Sequence, residues 1–290
     1  MAERARRMHR YARLALLALL LAGLFIAGCS TRIPGLPDDR DGPGEHRDVS
    51  QVPDAVPRDE PRSRYGNPAS YVVLGKRYHT LGDNRGFVER GIASWYGRKF
   101  HGRKTSNGET YDMYAMSAAH KSLPIPTYLE VTNLENGRRV IVRVNDRGPF
   151  HENRVIDLSY AAASRIGMLG KGTALVEIRA IDARAPVPAT RVAEQSQTPS
   201  RPGPIVPGAV DAAPRIYLQA GAFSSSGNAE RLRKKLESGL SRPVRVIAAE
   251  SPRGPVHRVQ VGPLASVEIA DQVTSRMHGF GITEPLVVID

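Results

Sequence analysis

Apolar positions divide this chain of 290 residues into stretches with different rhythms. Over residues 14–28 they run unbroken (LALLALLLAGLFIAG). Over 30–64, and again over 183–214, they thin out among Pro, Asp, Arg, Gly and Ser without any period. Segments so poor in apolar surface cannot bury enough of it to fold alone, and they read as mobile linkers. The two stretches left, 66–182 and 215–290, are patterned throughout, and the length by itself predicts about two domains.

In the first patterned stretch the period is two. Strands are expected over 91–96, 128–133, 139–145 and 174–180. The pairs Asn107-Gly108 and Asn136-Gly137 favour tight turns with positive φ, and the second predicts a hairpin between LEVTNL and RRVIVRVN. One short helix is expected over 159–166 with Ser159 as its N-cap. Many short strands with so little helix predict a small closed barrel. The second stretch alternates between periods: strand 215–220, helix 226–238 with Ala229, Leu232 and Leu236 on one face, strands 244–249 and 256–261, helix 266–278, and strand 285–289. The order βαββαβ predicts one sheet with two helices on one side, the other side left open to a ligand.

Composition sharpens this picture at the N-terminus. The formal charge is +12, and residues 1–13 hold five arginines against the single acid Glu3, so their removal leaves +8. The apolar run behind them is shorter than the ~20 residues of a membrane-spanning helix and fits the core of an export signal. It ends at Cys29, the one cysteine in the chain. A single cysteine cannot form an internal disulfide, and Ile26-Ala27-Gly28-Cys29 resembles a lipobox, which makes Cys29 the lipidated first residue of the mature protein. A mature chain this basic is drawn to anionic lipid or wall polymer; nucleic acid is excluded by export. By resemblance to sorting rules in enteric bacteria, Ser30 after the cysteine favours the outer membrane.

The first domain holds no metal-ligand spacing, no phosphate loop and no Ser or Cys nucleophile motif, so no metal and no cofactor is expected. Its chemistry rests on carboxylates in turns: Glu109, Asp112, Asp146 and Asp157. Asp146 stands where the strand VIVRV breaks into Arg147-Gly148-Pro149. Two readings stand for it, a functional acid on a rigid barrel or a turn residue bonding nearby amides. Asp157 is expected to complement the N-terminus of the short helix. Trp95 and Tyr96 offer either a stacking surface for a sugar or barrel core.

The blocks SWYG, TSNGE, AAH and NDRGPF, followed by RVIDLSYAAASRIGM, closely resemble the double-psi β-barrel of the rare lipoprotein A family over about 91–180. The family usually has Ala where Ser106 stands. The resemblance implies a six-stranded double-psi barrel and lytic transglycosylase activity, with an essential acid at Asp146, a second acid at Glu109 and a supporting imidazole at His120. Residues 215–290 resemble a SPOR domain through LQAGAF and RVQVGP. That likeness implies binding of peptide-free glycan, with hydrogen bonds from Gln219 and Arg258 and an apolar platform at Phe223, which otherwise sits beneath the first helix.

The expected organisation is signal peptide 1–28, lipidated tether 29–65, catalytic barrel 66–182, linker 183–214 and glycan-binding domain 215–290. Breaking a glycosidic bond requires a proton for the leaving oxygen, which a carboxylic acid supplies. In a lytic transglycosylase the 6-hydroxyl of N-acetylmuramic acid attacks its own anomeric carbon, so one group at Asp146 can serve as acid and then base. Glu109 would hold substrate or act on Asp146 by like charge, and His120 would orient an acid or donate to the sugar. The expected protein is thus a periplasm-facing outer-membrane lipoprotein of the division septum, acting on denuded peptidoglycan beside divisome components or other wall enzymes. The rival expectations are a barrel that binds glycan without cutting it, and a hydrolase that leaves reducing ends.

Overall fold

The computed structural model describes Gly42 and residues 47–184, 214–252 and 254–290. The signal segment, Cys29 and most of the second linker lie outside the described residues. A hairpin of β1 (Ser70–Val73) and β2 (Lys76–His79) precedes six longer-range strands: β3 (Val88–Tyr96), β4 (Ser117–His120), β5 (Thr127–Asn133), β6 (Arg139–Asp146), β7 (Arg154–Ser159) and β8 (Ala174–Ala180). These six close into a barrel in the order β3-β7-β4-β6-β5-β8. Two neighbours, β3–β7 and β4–β6, run parallel and the rest antiparallel. Closure leaves no strand edge unpaired. Leu129, Val131, Val142, Val144, Ile156, Leu158, Val176 and Ile178 alternate along their strands and are buried in the barrel core.

The β5–β6 hairpin forms as expected, with Leu129 opposite Val142 and Gly137 at φ 70° in the turn. Helix α1 (Tyr160–Arg165) starts at Ser159, whose hydroxyl accepts from the Ala162 amide at 3.2 Å. Strands β4 and β7 were not expected. SAAH has no β-branched residue to mark it, and RVIDLS, which does alternate, runs without a break into α1.

Residues 47–65 correct the expected free tether, because they lie along the barrel. Val49 is buried in its core, the Ala55 amide donates to Ile141 O at 3.0 Å, and Arg165 pairs with Asp54 at 3.2 Å. A composition too polar to fold alone does not prevent docking when each backbone donor and acid meets a partner on a preformed surface.

The second domain has the predicted order: β9 (Ile216–Phe223), α2 (Ser226–Leu240), β10 (Val244–Ser251), β11 (Gly254–Leu264), α3 (Val267–His278) and β12 (Leu286–Ile289). The sheet runs β10-β11-β9-β12, antiparallel throughout. Ser225 and Ser266 cap the two helices by accepting from Asn228 and Ile269 amides at 3.4 and 3.3 Å. Leu218, Val259 and Val261 join Ala229, Leu236, Ala270 and Met277 in its core.

Candidate functional site

The first carboxylate arises from an irregularity in the barrel. Along the parallel β4–β6 pair Ala118 faces Val144, but the next residue, Ala119, faces Asp146. Asn145 is therefore an extra residue, and this bulge re-aims the end of β6. Three donors converge on Asp146 Oδ1: the Ser106 amide at 2.8 Å, the Ser106 hydroxyl at 2.5 Å and the Arg147 amide at 2.8 Å. Such convergence complements a negative oxygen. The Arg147 guanidinium holds the following turn in place by donating to Gly66 O at 2.8 Å, Leu123 O at 2.5 Å and Asn67 Oδ1 at 3.2 Å.

The loop that supplies Ser106 also presents Glu109. Asn107 Oδ1 accepts from the Thr105 hydroxyl at 2.6 Å and the Glu109 amide at 3.1 Å, and Gly108 takes φ 91°, which only glycine adopts freely. Glu109 then receives Arg143 Nη1 on both oxygens at 2.9 Å and Asn145 Nδ2 at 2.9 Å. Burial alone would raise its pKa, but Asn145 and Arg143 together hold it below the ordinary carboxylate range. Arg143 also grips Glu60 of the docked N-terminal segment, at 3.0 and 2.8 Å. Glu109, Asn145, Ser117, Arg143 and Val52 line a cavity of about 470 Å³. Asn145 Oδ1 is buried without a hydrogen-bond partner among the described residues, and the buried Ser117 hydroxyl interacts with that of Tyr96. Ser117 and Asn145 border that cavity, which makes it suited to a hydroxyl-rich ligand.

His120 stands apart from both acids. Its Nδ1 accepts the Ser122 and Leu123 amides at 3.2 and 3.0 Å, and its Nε2 lies 3.4 Å from Glu89 Oε2. With two donors on Nδ1 the proton sits on Nε2, and burial pushes its pKa down, so the ring is neutral. Its link to the site is through the backbone, where His120 O accepts Arg147 Nη1 at 3.2 Å.

Asp157 belongs to strand β7 and not to a pre-helical turn, which corrects the sequence expectation. Ser94 faces Asp157 across β3–β7, Asp157 faces Ala119 across β7–β4, and Ala119 faces Asp146. Paired residues on neighbouring strands point to the same side, so both aspartates flank the Ala119 methyl. The Ser94 hydroxyl donates to Asp157 Oδ1 at 2.5 Å. The missed signal was the alternation in RVIDLS, which sets Asp157 opposite to the core residues Ile156 and Leu158.

Tyr96 is buried and stacks on Tyr111, ring centres 4.1 Å apart. Burial first, and then the Asp146 charge, hold its hydroxyl protonated. Trp95 is half-buried and packs edge-on to Tyr160 at 5.9 Å. Asp112 closes a local turn by accepting the Tyr114 amide at 2.9 Å. In the second domain, a register shift at Ala220 puts Gln219 opposite Gln260, and Arg258 opposite Ala222. Phe223 pairs with His257 two positions beyond Gly221 and packs on the helix-side core near Leu232, leaving Gln219 and Arg258 on the other face.

Comparison with known proteins bears on the whole chain. The family model described as lytic transglycolase matches residues 88–178, and the SPOR domain model matches 212–284. The endolytic peptidoglycan transglycosylase RlpA of Pseudomonas aeruginosa (strain UCBPP-PA14) is 38% identical over 328 aligned positions, covering 94% of this chain and 96% of that protein. The protein of the same name from Vibrio cholerae is 52% identical over 171 positions, 58% of this chain and 64% of its own. That from Neisseria meningitidis (strain Z2491) is 39% identical over 242, covering 81% and 90%.

Proposed function

Because the chain belongs to the RlpA family of endolytic peptidoglycan transglycosylases, we propose that it cuts glycan strands between N-acetylmuramic acid and N-acetylglucosamine, leaving a 1,6-anhydro end. The observation that carries this reading is Asp146 at the β6 bulge, with three donors on one oxygen and Glu109 on the same supporting loop. In the reaction the muramic 6-hydroxyl attacks its own anomeric carbon. The internal nucleophile needs no activated water, only a carboxylate to take its proton and an acid for the leaving oxygen. Asp146 is the group beside which both transfers occur. Glu109, fixed by Arg143 and Asn145, hydrogen-bonds the sugar from the adjoining cavity. His120 is a positioning residue that acts through Arg147.

The second domain holds peptide-free strands through Gln219 and Arg258 on the face away from its helices, and this favours denuded glycan as substrate. Tethering two sites to one polymer raises the effective concentration of each without new contacts. Lipidation of Cys29 would fix the protein to the outer membrane, and an affinity for denuded glycan would enrich it at the septum.

The test is mass spectrometry of products from the soluble mature chain given denuded or peptide-bearing glycan, with Asp146→Asn beside it. Anhydro-ended fragments, faster from denuded strands and lost in the variant, are the expected result. Reducing ends would mean a hydrolase. Glycan binding without fragments from the unaltered chain would mean a binding protein.

A further inference from the structure

Asp157 has no task in the scheme above, yet its setting is that of a reacting group. It shares a row with Ser94, Ala119 and Asp146 across four adjacent strands. Strands lie ~4.8 Å apart, so the Asp157 and Asp146 backbones stand about 10 Å from one another with only a methyl group between them. The turn after Asp146 passes close over this row at Gly148, with the Phe150 ring beside it. A Cβ there would lie 3.8 Å from both Ala119 Cβ and Asp157 Oδ2, over the row itself, and Gly148 at φ 140° holds a conformation that side chains disfavour. Asp157 is largely covered, and its Oδ1 is oriented by the Ser94 hydroxyl at 2.5 Å.

The two carboxyls differ in their hydrogen bonding. Asp146 Oδ1 takes three donors, two of them backbone amides, while Asp157 Oδ1 takes the Ser94 hydroxyl. Burial raises the Asp157 pKa, against the weaker opposing pulls of Ser94, Arg154, Lys121 and His151.

Resting on the transglycosylase reading, but dividing between two residues the transfers assigned to Asp146 above, we propose that Asp157 is the catalytic proton donor and Asp146 the base. The Asp157 proton passes to the bridging oxygen as the bond from the muramic anomeric carbon to that oxygen breaks. The 6-hydroxyl oxygen forms the new bond to the same carbon, and its proton passes to Asp146. Asp157 ends ionised and Asp146 protonated, and solvent restores both.

The experiment compares the mature chain with Asp157→Asn, Asp146→Asn and Ser94→Ala on two substrates. One is denuded glycan. The other is an aryl N-acetylmuramyl glycoside, whose phenolate leaves without a proton. Asp157→Asn is expected to lose at least a hundredfold on glycan and to recover most of that on the aryl glycoside. Asp146→Asn is expected to lose both activities. Ser94→Ala removes a donor to the ionised form, so the basic limb of kcat/KM should move to higher pH. Asp157→Asn within tenfold of the unaltered chain on glycan would overturn the proposal, as would equal losses on the two substrates or an unmoved basic limb in Ser94→Ala. These results leave the transglycosylase reading intact. That reading fails separately, if the unaltered chain makes no anhydro ends.

Discussion

Arg143 joins the candidate site to the N-terminal segment, and replacing it tests the electrostatic account of both. Its side chain is 22% exposed, Glu60 is 29% exposed and Glu109 is 44% exposed. Two charge-assisted bonds to Glu60 at 3.0 and 2.8 Å, discounted for partial solvation, contribute about 1.5–2 kcal/mol. The more exposed Glu109 pair adds at most about 1 kcal/mol. Arg143→Met keeps the apolar stem and removes the charge, so the loss at pH 7 should be about 2–3 kcal/mol. For a chain of this size that lowers Tm by roughly 5–10 °C. Arg143 heads the causes that hold Glu60 below its ordinary 4.5, and for Glu109 it acts with Asn145 against burial. Stability from a lowered carboxylate pKa is complete above about pH 4.5 and fades as pH falls through the folded value. Urea unfolding of both proteins at pH 7 and pH 3 should therefore show a gap that closes in acid. A gap of the same size at pH 3 would mean that Arg143 acts through packing, and a gap under about 0.5 kcal/mol at pH 7 would refute the reasoning.

The structure makes further quantitative claims. Gly91→Ala would put a Cβ 2.3 Å from Val155 Cγ1, costing about 1–3 kcal/mol, whereas Gly82→Ala meets nothing within 4 Å and should be neutral in thermal melts. His120→Phe strands the Ser122 and Leu123 amides and should cost about 2–4 kcal/mol at pH 7.5 by urea titration. Since burial lowers the His120 pKa from 6.5, its stabilising contribution is present above about pH 6.5 and lost as pH falls further, and this part of acid sensitivity should vanish in the variant. In glycan pelting-down assays, Arg258→Ala should weaken binding severalfold, while Phe223→Leu should leave affinity unchanged and lower only the Tm, as its side chain packs on the helix-side core.

Much of this arrangement is legible in the chain, and the exceptions have physical causes. The hairpin around Asn136-Gly137, the Ser159 cap and the βαββαβ order rest on local chemistry, and each forms. Asp146 was legible as an acid at a strand end, but the bulge that aims it depends on the register of a strand 26 residues earlier, which no local pattern encodes. Asp157 was misread because RVIDLSYAAA carries a strand signal and a helix signal end to end, and the nearer helix start claimed the acid. His120 was expected to orient an acid or donate to the sugar; what the sequence did not show is that two backbone amides occupy its Nδ1, a partnership set by the turn at Ser122 and Leu123, while its Nε2 lies 3.4 Å from Glu89 Oε2.

The docked N-terminal segment alters how far an anchored barrel can reach. A tether free as far as residue 65 would span, at most ~3.5 Å per residue, about 125 Å from Cys29. Gly42 O already accepts the Arg98 amide at 3.0 Å, and Val49 is in the core, so the stretch from Cys29 to the barrel at Gly42 is 13 residues long and spans at most about 45 Å. If lipidated Cys29 fixes the protein to a membrane, the distance from membrane to glycan is bounded by those residues and not by the whole polar segment. Lengthening the chain between Cys29 and Gly42 by 20 residues should then extend activity to more distant wall. Weakening the docked segment with Val49→Asp should do the same only by releasing 47–65, with a loss of stability that the insertion does not share. Equal cleavage in cells by the unaltered, lengthened and undocked chains, at matched levels, would show that the tether does not limit access to substrate.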